Sequence, residues 1–292
     1  MRILLTTHGM PHDEVALGFG AHIARYATGP TMVLTVAENA AARPQAEGVL
    51  KRARELLTEV PRVETKIRIG HAASEIVFEA QEGRYDLIVV GERQNPNLLA
   101  RFLSGSNSVR IVEHAPCPVV VAKGKARPIE RILLCDSGVE GPLAGFPLAS
   151  SWGDRAGNQG PSLLTRFTAQ LADLLLGEEE ITVLHVMSQI SAGPGIKGKQ
   201  LRAEAEELIE EHAPEGELLE QDVHVLERPG VRVRPKVRHG LVVDEILAEA
   251  QAGDYDLVVV GSHRGEGWQR ILLDDIAHKI LMQMDRPVLV VR

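Results

Sequence analysis

The chain has few aromatic residues, and this scarcity limits the folds that it can adopt. Phe, Trp and Tyr make up 3% of the 292 residues, whereas all hydrophobic types together make up 44%. The core must therefore be built from Val, Leu, Ile and Ala, which favours buried parallel strands covered by helices over an all-β sandwich. The length predicts two domains of ordinary size.

Several other features are also missing. No apolar run approaches the roughly 20 residues needed to cross a bilayer, and the N-terminus enters a strand pattern at once, without a signal peptide. Cys117 and Cys135 form no C-x-x-C pair and are expected to be buried free thiols. A net charge of −8 argues against broad binding to nucleic acid or anionic membranes. These absences predict a cytoplasmic protein that binds neither membrane nor nucleic acid.

The chain contains an internal duplication. Residues 70–91 match residues 240–261 without a gap, and two shorter blocks recur in the same order. Three matching blocks in one order indicate two copies of one domain rather than chance. We place the copies at 1–124 and 129–292, with insertions in the second at about 138–161 and 189–199. The shorter blocks are Arg-Ile-Leu-Leu at Arg2 and Arg131, and the apolar runs that begin at Pro118 and Pro287.

Each copy alternates short apolar runs with longer stretches of 3.6-residue spacing, which predicts strands and helices in turn. Such alternation requires right-handed crossovers and a parallel sheet, and hence an α/β fold. In the second copy, the pattern predicts one charged helix over Gln200–His212 with a solvated face.

A ligand site is expected at the carboxyl ends of the first and fourth strands, where the strand order of such sheets reverses. After the fourth strand of copy one, Gly105 and Ser106 open a predicted helix whose free N–H groups suit an anion. The Ser106 and Ser108 hydroxyls offer further donors. The alternative is that Ser106 only caps the helix. The spacing alone leaves both interpretations open.

These same residues carry a family resemblance. Universal stress proteins have a strand ending in Asp-Gly-Ser, a Gly-x2-Gly-x9-Gly-Ser/Thr signature and a closing Ala-Pro-Cys-Pro-Val strand. This chain has Gly91, then Gly105-Ser106-Asn107-Ser108, then Ala-Pro-Cys-Pro-Val over 115–119. It resembles a tandem universal stress protein over both halves, apart from the insertions.

The resemblance implies a fold, a role and a ligand. The fold is two doubly wound five-stranded parallel-sheet domains, pseudo-twofold related, of the adenine-nucleotide-hydrolase-like or Rossmann-like sandwich type. The role is in the cytoplasmic stress response, and many members bind ATP or another adenine nucleotide. Pairing of the final strands between domains is also implied, within one chain or in a homodimer.

The resemblance also assigns site residues, and here the two copies differ. In copy one, His8 stands where the family has the strand-end Asp, and Gln94 replaces the second signature Gly. In copy two, Asp274 and Asp275 occupy the Gly-Ser positions. Two carboxylates at a helix start satisfy its N–H groups and repel a triphosphate, so copy two is expected to be degenerate. The expected nucleotide contacts are Thr7, His8, Gly9, Val36, Gly91, Arg93, Gly105, Ser106, Asn107 and Ser108 in copy one, and more weakly Asp136, Gly261, Arg264 and Gly265 in copy two.

Two function classes remain open. One is a regulatory stress protein that binds ATP, with or without Mg²⁺, in copy one; the other is an interaction scaffold for unknown protein partners. Slow ATPase activity is a third option, but no motif places a general base or a metal carboxylate, so no catalytic residue is predicted. The cluster of His8, His12, Asp13 and Glu14 lacks the spacing of a zinc site, and no metal is expected. The sequence favours nucleotide binding in copy one alone.

Overall fold

A computed structural model of the protein describes most of the chain, and its contacts divide it into two compact units. Unit 1 is Met1–Ile129 with Met284–Val290, and unit 2 is Glu130–Gln283 with Val291–Arg292. The residues described are 1–9, 14–92, 107–125, 127–136, 162–175, 179–187, 203–262 and 268–291, of which 268–275 are described as backbone only.

Unit 1 alternates strands and helices along the chain. Its elements are β1 Ile3–Thr6, α1 Glu14–Ala24, β2 Thr31–Ala37, α2 Arg43–Leu56, β3 Val63–Ile69, α3 Ala72–Gly83, β4 Leu87–Gly91, α4 Asn107–His114 and β5 Val119–Ala122. The strands lie in the order β3-β2-β1-β4-β5 and all pair in parallel. The order reverses between β1 and β4, as in other doubly wound sheets.

Within the described residues, unit 2 repeats this pattern with one additional α-helix. Its elements are β6 Arg131–Cys135, α5 Leu163–Asp173, β7 Glu180–Met187, α6 Ala205–Glu210, α7 Pro214–Leu226, β8 Arg232–His239, α8 Val242–Ala252, β9 Leu257–Gly261 and α9 Trp268–Gln283. The strands lie in the order β9-β6-β7-β8, and β6 pairs in parallel with both β7 and β9. The predicted α/β fold is confirmed.

The last strand of the chain, β10 Val288–Val291, pairs with the last strand of the first copy. Val288 lies opposite Val121 and Val290 opposite Val119, in antiparallel register. The residues that make this pairing belong to unit 1. The pairing of final strands that the resemblance implies is therefore present within one chain.

The central strands of both units are mostly apolar, and their middle residues are buried on both faces. Side chains such as Ile3, Leu87, Ile132 and Leu257 are 0% exposed. This is the pattern expected of parallel strands with helices on each side. The cysteines are free; Cys117 is buried, but Cys135 is partly exposed, contrary to the sequence prediction. Burial raises the pKa of both thiols, that of Cys117 to about 12.

The prediction of one helix over Gln200–His212 is wrong. The helix there is the short α6, and a second helix, α7, begins at Pro214. His212 has a φ of 53°, which breaks the α-helical path between them. Proline is well suited to the first turn of α7, because the N–H that it lacks has no partner there. Helix α2 likewise has a proline, Pro44, in its first turn.

Helix α3 is fixed to the sheet of unit 1 by a buried carboxylate. Glu79 is 2% exposed. It accepts hydrogen bonds from Arg68 at 3.0 Å and from the Tyr85 hydroxyl at 3.1 Å, and it pairs with Lys66 at 2.6 Å. Burial raises the pKa of Glu79, but the hydrogen bonds from Lys66 and Arg68 outweigh it, so the pKa lies below its usual value. The carboxylate is therefore ionised and satisfied.

The same arrangement recurs in unit 2. Glu249 of α8 is 2% exposed. It accepts from Lys236 at 2.9 Å, from Arg238 at 3.2 Å and from the Tyr255 hydroxyl at 2.8 Å. Each basic pair lies two residues apart on its strand, so both side chains point to the same face of the sheet. We call these two groups the Glu79 cluster and the Glu249 cluster.

The tyrosine of each cluster depends on a glycine that ends the preceding helix. A Cβ placed on Gly83 would lie 2.1 Å from the Tyr85 ring, and one on Gly253 would lie 2.0 Å from the Tyr255 ring. Both copies of the duplicated segment therefore require a glycine here, because the tyrosine ring lies too close to its backbone to leave room for a side chain. This explains why both copies retain a Gly two residues before the Tyr.

Candidate functional site

The candidate site of unit 1 lies where the chain leaves β1 and β4, next to the reversal of strand order. The N–H of Thr7 still donates to the Leu34 carbonyl at 2.9 Å, and the N–H of Glu92 donates to the Ala122 carbonyl at 3.2 Å. The segments that follow β1 and β4 therefore start from the same edge of the sheet. Ligands of open α/β sheets bind at this edge.

Thr7 and Gly9 shape the turn that leaves β1. The Thr7 side chain is buried, and its Oγ1 accepts a hydrogen bond from the Gly9 N–H at 3.3 Å. Gly9 has a φ of 118°, which side-chain-bearing residues rarely adopt, and a Cβ there would lie 3.3 Å from Val49 of α2. The backbone thus turns sharply over the sheet edge, and the intervening His8 is exposed.

The hydrogen-bond register changes the assignment of the strand-end position. Asp136 donates its N–H to Leu184 of β7 at 3.2 Å, just as Thr7 donates to Leu34 of β2. Thr7 is therefore the structural counterpart of Asp136. The sequence comparison had placed His8 there, one residue too late. The strand-end residue of unit 1 is thus an uncharged threonine.

The residue after Gly91 forms a buried ion pair in unit 1. Glu92 lies 2.8 Å from the Lys123 ammonium, and their side chains are 10% and 5% exposed. Lys123 also donates to the Met284 carbonyl at 3.3 Å. The negative charge of Glu92 at this edge is therefore balanced by a cation from the end of β5. An anion meets no uncompensated repulsion from this carboxylate.

The other predicted contacts of copy one are only partly within the described residues. Val36 is buried near the end of β2, and Gly91 ends β4 partly exposed. Asn107 and Ser108 form the first turn of α4, where Asn107 is exposed and Ser108 is buried. Arg93, Gly105 and Ser106 lie outside the described residues. The structure therefore brings Thr7, Gly9, Val36 and Gly91 to one edge of the sheet.

Unit 2 has a different arrangement at the corresponding edge. Asp136 is buried, and its Oδ2 accepts from the Ser162 hydroxyl at 2.5 Å and lies 3.3 Å from the Thr165 hydroxyl. Thr165 also donates to Asp222 Oδ1 of α7 at 2.7 Å. The Asp222 side chain is 0% exposed. We call these four residues the Asp136–Asp222 cluster.

The remaining predicted contacts of copy two are less informative. Gly261 ends β9 exposed, and a Cβ there would lie 4.0 Å from its nearest neighbour, Leu164, so nothing requires a glycine at this position for space. Arg264 and Gly265 lie outside the described residues. The side chains of Asp274 and Asp275 are not described either.

The electrostatics of the Asp136–Asp222 cluster follow from burial. Burial and, after it, the neighbouring charge of Asp136 together raise the pKa of Asp222 to about 7. His185 of β7 approaches the Asp136 backbone carbonyl at 3.2 Å through Nδ1. Burial lowers the pKa of His185, so this imidazole is neutral near pH 7. The surroundings of Asp136 thus contain a second acid and no histidine cation.

The residues around both sites match a family model. The model of the universal stress protein family matches residues 1–123 and 163–292, which is most of the chain. The chain belongs to this family. The unmatched stretch, 124–162, includes the first of the two insertions predicted from the repeat spacing.

Individual universal stress proteins resemble the chain at modest identity. One from Mycolicibacterium smegmatis is 27% identical over 235 residues, covering 79% of this chain and 69% of the relative. One from Methanocaldococcus jannaschii is 31% identical over 86 residues, covering 30% of this chain and 49% of the relative. A solved universal stress protein from Archaeoglobus fulgidus superposes with a TM-score of 0.65 at 17% identity, covering 100% of this chain and 96% of that one. This last likeness shows the fold.

Family motifs did not reveal the Asp136–Asp222 cluster in this universal stress protein. Asp222 lies on α7, which the sequence analysis missed, and Thr165 looked like an ordinary helix residue. Two signals were available: Ser162 directly precedes a helix, as an N-cap does, and Pro214 is followed by acidic residues typical of a first helical turn. In the described part of the chain, no group of three or more His, Cys, Asp or Glu side chains is arranged to hold a metal. No described helix is long and apolar enough to span a membrane.

Proposed function

We propose that this universal stress protein is a cytoplasmic stress-response regulator that binds ATP, or another adenine nucleotide, in unit 1 alone. The observation that supports unit 1 most directly is the contrast at the strand ends. Thr7 is uncharged and turns the chain through Gly9, whereas its counterpart Asp136 is enclosed by Ser162 and Thr165. Family membership supports the ligand class, because adenine nucleotides are bound by many universal stress proteins.

The charges of unit 1 suit an anionic ligand. Glu92 is paired with Lys123 and so contributes little net negative charge to the edge of the sheet. Helix α4 begins at Asn107, and the free N–H groups of its first turn attract phosphate. The sequence places Gly105 and Ser106 directly before this turn. We expect the phosphates at the start of α4 and the nucleoside near Thr7, Gly9 and Val36.

The charges of unit 2 oppose the same use. Asp136 is a buried carboxylate at the strand end, and its Oδ2 already accepts from the Ser162 hydroxyl. The sequence adds Asp274 and Asp275 at the positions that correspond to Gly105 and Ser106. A triphosphate at this edge would meet like charges at close range. We expect unit 2 to bind no ATP.

The proposal is tested by calorimetric titration of the full chain with ATP and Mg²⁺. We expect saturable binding of about one ATP per chain, and the substitution Gly105→Asp, which copies the second half, should abolish it. The matched control is the reciprocal change in unit 2, Asp274→Gly, which should leave the affinity of unit 1 unchanged. Circular dichroism spectra of both variants establish that each is folded.

Three outcomes would contradict the proposal. Binding of two nucleotides per chain would show that unit 2 is competent after all. Binding that survives Gly105→Asp but is lost in Asp274→Gly would move the site to unit 2. The absence of heat at millimolar ATP would favour the interaction scaffold, whose protein partners would then have to be identified.

A further inference from the structure

The hydroxyl protons of the Asp136–Asp222 cluster can be assigned by counting. Ser162 has one hydroxyl proton, and its short contact of 2.5 Å is with Asp136 Oδ2. Thr165 has one, and its shorter carboxylate contact is with Asp222 Oδ1, at 2.7 Å against 3.3 Å to Asp136. The two hydroxyls also lie 3.0 Å apart, but the shortest contact of each is with a different carboxyl group, so each hydroxyl serves one carboxyl group. No hydroxyl proton remains for the second oxygen of Asp222.

That second oxygen is buried without a donor. Asp222 Oδ2 is inaccessible to solvent. No donor among the described residues forms a hydrogen bond with it. No described cation forms an ion pair with Asp222 either. An ionised carboxylate enclosed in this way, with a single hydrogen bond, is strongly disfavoured. If Asp222 is protonated, it becomes a donor itself, and the neighbouring acceptor is the Asp136 carboxylate, since the Thr165 hydroxyl lies 2.7 Å from Asp222 Oδ1 and 3.3 Å from Asp136 Oδ2.

We propose that Asp136 and Asp222 share one proton at neutral pH, and that this proton holds helix α7 against the end of strand β6. Asp222 lies in the middle of α7, and Asp136 directly follows β6. The shared proton, together with the Thr165 hydroxyl, connects three elements of unit 2: α7, α5 and the end of β6. This proton site is in unit 2 and does not depend on nucleotide binding in unit 1.

The described groups around the pair are mostly neutral, acidic or paired elsewhere. From β7, His185 approaches the Asp136 carbonyl and is kept neutral by burial. From β8, His239 contacts the Ala203 carbonyl, while Lys236 and Arg238 pair with the Glu249 cluster. The other charged residues on the helices packed together here are Arg166 and Asp173 on α5, Glu206, Glu207 and Glu210 on α6, and Glu215, Glu217, Glu220 and His224 on α7.

Loss of the shared proton turns the attraction between Asp136 and Asp222 into repulsion. The pKa of Asp222 is about 7 in the folded protein because burial and the Asp136 charge favour the neutral acid. Above this pH, two adjacent carboxylates repel each other in an enclosed space. The contact between α7 and β6 should then weaken, while unit 1 is unaffected. The cluster therefore makes unit 2 sensitive to pH around neutrality.

The first experiment follows aspartate carboxyl resonances by carbon-13 NMR from pH 4 to pH 9. We expect one resonance to titrate with a midpoint near 7, about three pH units above an ordinary aspartate. It should vanish in Asp222→Asn, because the amide is a permanent substitute for the protonated acid. It should persist in the control Asp254→Asn, which changes an exposed aspartate of the same unit. Titration of every aspartate below pH 5 would overturn the proposal.

The second experiment measures whether loss of the shared proton loosens helix α7. Amide hydrogen exchange of residues 214–226 is compared with that of 43–56 in unit 1, which serves as an internal reference. Between pH 6 and pH 8, protection of α7 relative to α2 should fall in the wild type and stay constant in Asp222→Asn. An equal change in both proteins would show that the pair does not hold α7.

Two further results keep the proposal open to refutation. If Asp222→Asn does not fold, Asp136→Asn serves instead, and the midpoint of Asp222 should then fall because the neighbouring charge is gone. An unchanged midpoint would show that the two acids are not coupled.

Addition of Mg²⁺ or Ca²⁺ should leave the Asp222 resonance in place. A shift at millimolar metal would mean that a cation, rather than a proton, joins the two acids.

Discussion

Helices α3 and α8 are joined to their sheets by the same four kinds of side chain, whereas the ends of strands β1 and β6 are built differently. Glu79 and Glu249 each accept from a Lys, an Arg and a Tyr at equivalent positions. At the strand ends, Thr7 in unit 1 corresponds to Asp136 in unit 2. The two units thus share the contacts that hold this helix and differ at the edge where we propose that unit 1 binds its ligand.

The divergence extends to the neighbouring strand. Glu92 and Ser262 hold equivalent places, since each donates its N–H to the strand that follows, at 3.2 Å and 2.7 Å. Glu92 is buried in an ion pair with Lys123, and Ser262 has no charge to balance. Two adjacent positions at the same edge therefore differ in charge between the units. This suggests separate selection on the two edges, which the following substitutions test.

The largest effect is expected for Lys123→Met. The Lys123 and Glu92 side chains are 5% and 10% exposed, so the substitution leaves the Glu92 charge buried without its partner. The free energy of unfolding should fall by about 3 kcal/mol, measured by urea denaturation. The double variant, which adds Glu92→Gln, should regain most of this free energy of unfolding, because it also removes the buried Glu92 charge. A loss below about 1 kcal/mol in the single variant would show that water reaches Glu92.

The next effect compares Glu79→Gln with Glu249→Gln. Each substitution removes the charge that the basic side chains of its cluster surround, and we expect each to lower the free energy of unfolding by about 2 kcal/mol. The two losses should agree closely because the clusters are matched. A large difference would mean that one cluster has an additional role. Lys66→Met and Lys236→Met, whose side chains are 42% and 45% exposed, are the milder controls.

These two clusters also predict a response to acid. The pKa of Glu79 and of Glu249 lies below the usual value in the folded state, because hydrogen bonds from the basic partners outweigh burial. Their stabilisation is complete above the unfolded pKa, near 4.3, and is lost as the pH falls through the folded pKa. Stability curves of the wild type should therefore fall more steeply below about pH 4 than those of the double variant with both Gln substitutions.

The sequence predicted the conserved parts of the molecule better than the divergent ones. Repeated positions such as Tyr85 and Tyr255 aligned without a gap, because the helix, the strand and their contacts are the same in both units. The strand-end residue was assigned to His8, although the recurring Arg-Ile-Leu-Leu blocks at Arg2 and Arg131 already align Thr7 with Asp136, and the backbone register to Leu34 confirms that alignment. Asp222 was missed because its partner Asp136 lies far away in sequence, and nothing local to either residue indicates the contact.

An intermediate effect is expected for Thr165→Val in unit 2. Among the described residues, the Thr165 hydroxyl donates to Asp222 Oδ1 at 2.7 Å, so its removal leaves a buried carboxyl oxygen unsatisfied. The free energy of unfolding should fall by about 2 kcal/mol at pH 6. Thr168→Val is the matched control: Thr168 is equally buried on the same helix, but its hydroxyl donates to the Leu164 carbonyl within that helix. The control should cost less than about 1 kcal/mol. Equal losses would mean that Thr165 acts by packing alone.

The smallest effect concerns a contact that both units share at the surface. The Arg2 guanidinium lies 5.3 Å from the centre of the Tyr85 ring, and that of Arg131 lies 5.8 Å from the Tyr255 ring. Substitution by Met keeps the apolar stem over the ring and removes only the charge. Each variant should therefore lose about 0.5 kcal/mol of unfolding free energy, the usual size of an exposed cation–π contact.

The backbone N–H of each arginine donates to an aspartate carboxylate, Asp86 for Arg2 and Asp256 for Arg131, and its carbonyl accepts from the N–H of the same aspartate. These hydrogen bonds do not involve the arginine side chain and should persist in the Met variants. Similar small losses in both units would show that the divergence stops at the ligand edge. A loss near 2 kcal/mol in only one unit would place a second difference at the opposite end of the sheet, where the strands begin.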